Sequence, residues 1–177
     1  IELVQSGVPL FWFDDVAQDD PDFEAIQILA VADVLRSTSR RDLHFRPELP
    51  VSRAVLATAL VRLVAATSVA EASVPIQSTS REPALLKDVP AQHWAHDFIQ
   101  AAFEQGWMLP LQPQVFQPSR VVTHRQLQTV LERVASGISM CAHPTQAYQD
   151  KSGGDSPVKR RQLAQALYGL YRQRLGI

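Results

Sequence analysis

Residues 88–134 read DVPAQHWAHDFIQAAFEQGWMLPLQPQVFQPSRVVTHRQLQTVLERV, and much of the same pattern has already run once further up the chain. Setting Trp94 over Phe23 aligns residues 93–133 on residues 22–62 without a gap. Ile99 then falls on Ile28, Ala101 on Ala30, Phe116 on Phe45, Pro118 on Pro47 and Val122 on Val51. Leu127, Thr129, Leu131 and Arg133 fall on Leu56, Thr58, Leu60 and Arg62. Nine identities in 41 positions, carried by spaced Leu, Phe and Pro, mark an internal repeat. A unit of this size cannot bury its own apolar face, so the fold is expected to be an array of packed units.

A third, shorter copy closes the chain. Residues 158–170 align on 51–63 and match Val, Arg, Leu, Ala, Ala, Leu and Leu. Tyr148 and Asp150 repeat the aromatic-x-Asp of Phe13 and Asp15, but only 8 residues separate Asp150 from Val158, against 34 from Asp88 to Val122. The third unit therefore lacks a first helix and a long loop. The expected organisation is an N-terminal segment at 1–12, unit one at 13–65, a linker at 66–84, unit two at 85–136, a linker at 137–147 and a truncated unit three at 148–177.

Within each full unit the order reads helix, long loop, helix. In unit one, Asp20-Pro21 has the form of an N-cap followed by Pro at the first helical position. Phe23, Ile26, Ala30 and Val34 recur at helical spacing, Phe45 and Pro47 pin the loop, and Ser52 caps a second helix carrying Leu56, Leu60, Leu63 and Val64. In unit two a first helix is expected from about His93 to Gln105, stopping at Gly106. Thr123 and Gln126 have capping-box spacing ahead of Leu127, Val130, Leu131 and Val134. Ser156-Pro157 is read as the start of the third unit's helix. Short extended pieces are expected beside Val51 and Val122, and VPLFWF at 8–13 has an extended pattern. IELVQSG at the start reads as the end of a helix, so the chain, which opens on Ile1, is read as a mature form or a piece of a longer protein.

The bulk numbers remove several function classes. A net charge of −1 gives no electrostatic case for nucleic acid or an anionic membrane. No apolar run approaches the roughly 18 residues of a membrane span. The single cysteine, Cys141, excludes an internal disulfide. Cys141 with His143 is read as no catalytic pair, since nothing orients the histidine. His93 and His96 are read as surface or capping residues rather than metal ligands, the acidic run Asp14, Asp15, Asp19, Asp20, Asp22 as lacking the Gly and distal Glu of a calcium loop, and the basic tail Lys159, Arg160, Arg161, Arg172, Arg174 as a solvated face. No catalytic residue, metal or cofactor is assigned, and no enzymatic activity is expected.

An aromatic-x-Asp-Val, then Trp-Ala, a Gly near the helix end, Phe-x-Pro, and Val-Thr-Arg-like residues opening a Leu-rich helix together resemble the S-layer homology domain. The resemblance runs from Phe13 to about Tyr171. It implies an all-α fold of tandem helix-loop-helix repeats packed as a pseudo-threefold bundle. It also implies a non-catalytic module anchoring a protein at the cell surface or wall, outside the membrane, by holding an acidic wall polysaccharide or peptidoglycan-linked polymer between units. The residues that match the family's binding positions are Arg53, Arg160 and Trp94, with Asp15 and Asp88 beside them. Unit one has Phe23 where the aligned Trp stands in unit two, unit two has His124 where the Arg belongs, and the motif's Glu is absent from all three. The alternative reading is a C-terminal structural or protein-interaction appendage of a larger protein, an enzyme among the candidates, that has lost glycan binding. A gap at the missing third first-helix is expected to expose an apolar face, to be covered by residues 1–12 or by a second chain.

Overall fold

The computed structural model describes residues 13–36, 42–68, 86–138 and 154–176. These hold five helices: α1 (Phe23–Val31), α2 (Arg53–Ser68), α3 (His96–Glu104), α4 (His124–Ile138) and α5 (Arg160–Leu175). The only other regular pairing among the described residues is a set of isolated β-bridges, so the fold is all-α. None of these helices is long and apolar enough to cross a membrane. Residues 1–12, Cys141, His143, Tyr148, Asp150 and nearly all of both linkers lie outside the described residues. The linker boundaries shift slightly, because α2 continues to Ser68 and α4 to Ile138.

The second helices of the three units begin alike. Ahead of each comes one buried valine in an extended stretch: Val51, Val122 and Val158. The Val51 N–H donates to the Val158 carbonyl (2.8 Å), the Val122 N–H to Val51 (2.8 Å) and the Val158 N–H to Val122 (2.9 Å). Three residues thus close a ring of backbone bonds at the centre of the molecule. The bridges Pro50–Lys159, Ser52–Val121 and Thr123–Pro157 surround it. This corrects the third unit's helix start: Ser156 lies in a bend, Pro157–Lys159 forms the extended stretch and the helix opens at Arg160.

The helix starts are satisfied locally. Thr123 and Gln126 form the expected reciprocal box, the Thr123 N–H donating to Gln126 Oε1 and the Gln126 N–H to Thr123 Oγ. The Lys159 N–H likewise donates to Gln162 Oε1 at 2.8 Å. The first helices begin later than their sequence implies. The segment before α1 is occupied by turns, with the Asp22 N–H donating to Asp20 Oδ1, so Asp20-Pro21 closes a turn and α1 starts at Phe23. Turns also occupy residues 91–95 before α3, and Gly106, in the left-handed conformation (φ 71°), stands just past its end at Glu104.

Matching hydrogen bonds correct the repeat's register. Val34 and Leu35 donate to Leu29, and Trp107 and Met108 donate to Ala102; Asp33 donates to Ala30, and Gly106 to Phe103. The first halves of the two units therefore match at an offset of 73, not 71, and the two-residue difference falls in the loop. Asp15, Val16, Ile26 and Gln27 then fall on Asp88, Val89, Ile99 and Gln100. The counterpart of Trp94 is Pro21, not Phe23.

Helix α1 packs on α5, α3 on α2, and α2 on α5, while α4 approaches its neighbours less closely. The core is Ile26, Leu29, Leu56, Leu60, Leu63, Ile99, Leu127, Leu163 and Leu167 around Phe45 and Phe116. Four positions on the flank of the second helices decide what each can receive. In α2 they are Ala54, Ala57, Thr58 and Val61, and the first three are buried. In α5 they are Arg161, Ala164, Gln165 and Tyr168, and three of them bind the start of α1: Arg161 and Gln165 donate to the carboxylate of Asp22, just ahead of it, and Tyr168 to Glu24. In α4 the same positions are Arg125, Gln128, Thr129 and Glu132, all exposed. At these four positions α4 is polar and exposed, not the apolar face expected beside the third unit.

Two measurements test this packing. Leu127→Ala, which empties a fully buried site on α4, is expected to cost about 2–5 kcal/mol in chemical denaturation, whereas the partly buried Leu131 should cost less. Burial, reinforced by the hydrogen bond to Glu24, raises the Tyr168 phenol to about 12 from 10.0. A group so raised contributes stability that is present below pH 10 and lost as pH climbs from 10 to 12. Tyr168→Phe should flatten that loss in a melting-temperature profile.

Candidate functional site

Arg53 and Arg160 open α2 and α5, but the first backbone N–H groups of both helices are already taken: Arg53 donates to Arg120 and Ala54 to Pro118, Arg160 to Leu49 and Arg161 to Pro47. The structure turns both side chains inward. Each is only 4 % exposed. Arg53 reaches into unit two, Nε donating to the Phe116 carbonyl (2.8 Å) and Nη2 to the Leu109 carbonyl (2.7 Å). Arg160 reaches into unit one, Nε donating to Phe45 (2.7 Å) and Nη2 to Arg36 (2.8 Å). The guanidinium carbons lie 4.3 Å and 4.7 Å from the Phe116 and Phe45 ring centres. One planar fork thus ties together the two ends of a neighbouring unit's long loop, and its cation rests on the aromatic ring that plugs it. Burial pushes both guanidinium groups down to about 10, which still leaves them charged at neutral pH.

Asp15 and Asp88 hold the same loops from the other side. Asp15 accepts from the Phe45 N–H (2.7 Å) and the Arg46 N–H (2.6 Å). Asp88 accepts from Phe116 (2.8 Å) and Gln117 (2.6 Å). Arg46 and Gln117 are left-handed (φ 56° and 59°), and two charge-assisted bonds per carboxylate offset that strain. So four of the five expected site residues do come together, as the pairs Arg53 with Asp88 and Arg160 with Asp15. Each pair meets on a phenylalanine across or within units. Trp94 stands apart: it is 62 % exposed at the head of α3, its ring stacked on His93 at 5.8 Å.

Unit two departs from the pattern at His124, which is buried as Arg53 and Arg160 are. Ser152, which aligns with Phe45 and Phe116, lies outside the described residues.

The other motifs are drawn into the fold. His93 caps the turn by accepting from the Ala95 N–H, and His96 bonds Asp97. Among the described residues no group of three His, Cys, Asp or Glu side chains could hold a metal ion. Asp22, 2 % exposed, receives Arg161 and Gln165, and Glu48 receives both Arg161 and Lys159. The basic tail is therefore only partly a solvated face: Arg160 is buried and Arg161 forks across three carboxylates of unit one. A shallow, open depression of about 530 Å³ is lined by Asp15, Arg46, Pro47, Glu48, Leu49 and Pro50. The backbone carbonyls that receive the arginines carry no sequence signature, and sequence reading could not assign them. The acidic residues facing a basic tail were the one available hint of the α1–α5 contact.

Set against known proteins, the chain matches no protein-family model and no curated protein.

Removing either fork strands two carbonyls and a buried ring. Arg53→Ala and Arg160→Ala are each expected to cost about 3–5 kcal/mol in urea unfolding. Arg→Lys at the same sites should recover only a minor part, since a point ammonium cannot span both carbonyls. A cost below about 1 kcal/mol would show that the forks are incidental.

Proposed function

We propose that this chain is a non-catalytic structural or protein-interaction module of S-layer homology type, one that has given up arginine-mediated glycan binding. The observation that carries this reading is the placement of Arg53 and Arg160. The resemblance makes these two the anchors for an acidic sugar, yet both side chains are buried and donate to carbonyls of the next unit. Asp15 and Asp88 are likewise occupied with backbone N–H groups. What remains on the surface is a set of loops and helix faces of mixed charge, suited to holding a neighbouring domain or protein at the cell envelope.

A second reading rests on one observation of its own. Trp94 presents a flat, exposed ring, backed by His93, at the head of a helix in the only unit that has it. An aromatic face of that kind stacks on sugars. Under this reading the module still anchors a protein to an acidic wall polysaccharide or peptidoglycan-linked polymer, through Trp94 rather than through arginine.

Co-sedimentation with purified cell-wall sacculi at low salt separates the two. The first reading expects the wild type to stay in the supernatant. Retention of the wild type, abolished by Trp94→Ala with an unchanged melting temperature, would overturn it in favour of the second.

A further inference from the structure

We infer that the start of α5 is a latch on the first unit: residues 43–49 keep their shape only while α5 is seated, and residues 114–120 depend in the same way on the start of α2. Each segment offers three alternate backbone carbonyls to two successive residues of a different unit. Arg160 and Arg161 take the first set. Arg160 Nε donates to Phe45 (2.7 Å), the Arg161 N–H to Pro47 (2.9 Å) and the Arg160 N–H to Leu49 (3.0 Å). Arg53 and Ala54 take the second. Arg53 Nε donates to Phe116 (2.8 Å), the Ala54 N–H to Pro118 (2.9 Å) and the Arg53 N–H to Arg120 (2.9 Å). The middle residue is proline in both sets, with a carbonyl to give and no N–H to satisfy. The forks reach 115 residues back in the first set and 63 residues on in the second.

The phenylalanine passes the constraint on, because its two ends are held from different units. The Phe45 carbonyl is held by Arg160, while its N–H and that of Arg46 are held by Asp15 of their own unit. The Phe116 carbonyl is held by Arg53, while its N–H and that of Gln117 are held by Asp88. Two residues earlier the Leu43 carbonyl accepts from the Asp14 N–H, and the Gln114 carbonyl accepts from Lys87 in the same place. A buried carbonyl that loses its donor is costly where it stands, so it turns out to water. Turning the Phe45 carbonyl out draws the Phe45 and Arg46 N–H groups off Asp15, and with them goes the bonding that offsets the left-handed Arg46. The ring contact of Phe45 with Phe13 (5.5 Å) is disturbed by the same movement. The depression lined by Asp15 and residues 46–50 is built on this segment, and its Glu48 is held by Lys159 and Arg161. Its shape therefore reports whether α5 is seated, and a molecule bound to that shape would hold α5 in place in return.

Three matched pairs of amides read the two segments in one sample: Asp14 with Lys87, Phe45 with Phe116, and Arg46 with Gln117. Hydrogen exchange of the full chain is followed by NMR and corrected for intrinsic rates. Arg160→Lys keeps the charge but cannot span two carbonyls, and it should lower protection at Asp14, Phe45 and Arg46 at least about tenfold relative to their partners. Arg53→Lys should do the reverse. Ratios within about twofold of the wild type in both variants, or ratios that move the same way in both, would overturn the latch. The unsubstituted chain supplies a second readout that no folding defect can spoil. Under rising urea, Phe45 and Arg46 should open with the same free energy and urea slope as the Arg160 and Arg161 amides, and Phe116 and Gln117 with those of Arg53 and Ala54. Phe45 and Arg46 following Arg53 and Ala54 instead, or one common opening for all eight amides, would overturn it as well.

Discussion

A buried backbone group must find a partner, and in this molecule three valines satisfy that demand with one another. Val51, Val122 and Val158 sit at the centre with no sheet to join and no helical bond to make, and each gives its N–H to one of the others and its carbonyl to the third. The three stretches must approach within hydrogen-bonding distance, so the helices that follow them diverge from one point. Their Leu stripes then face inward without further instruction: Leu56, Leu127 and Leu163 occupy the same place one turn into α2, α4 and α5. Small residues on α2 and α5 let the adjacent helices approach, as Ala57 and Ala164 do, and at the matching position on α4, where none of the described helices packs closely, the chain carries Gln128.

The second helices were legible because their apolar residues fall on one stripe at a helical period and are opened by cap residues that mean the same thing in any context. The first helices were legible as helices but not in register. Ile26, Ile28, Leu29, Ala30 and Val31 are so densely apolar that sliding the alignment by two residues still finds matches, and the gapless solution took them. The corrective signal was present in Asp15 and Asp88, which stand 73 apart while the loop phenylalanines stand 71 apart. A fixed polar residue with one geometric job is a better ruler than a run of interchangeable hydrophobes. The arginine forks were not legible, because their acceptors are carbonyls and every residue has one.

Resemblance and geometry pull apart at the arginines. The motif draws attention to Arg53 and Arg160 as residues that face outward to a ligand. Here the same cations face inward, and the partners that a ligand would have to displace are the Phe116 and Leu109 carbonyls with the Phe116 ring, and the Phe45 and Arg36 carbonyls with the Phe45 ring. A ligand competing for a desolvated guanidinium must first unmake two hydrogen bonds and a ring contact. That cost separates a residue that defines a fold from one that defines an activity, even when both wear the same three letters in a motif.

The forks also tie the copies to one another across the sequence. Arg53 belongs to the first copy but is useful only to the loop of the second, and Arg160 belongs to the third but serves the first. Shortening the loop of one copy would therefore remove the acceptors of a cation that belongs to a different copy. A substitution at Arg53 is therefore felt 56 and 63 residues further along the chain, and one at Arg160 is felt 115 and 124 residues back, so the distance along the sequence is a poor guide to which residues answer to one another here.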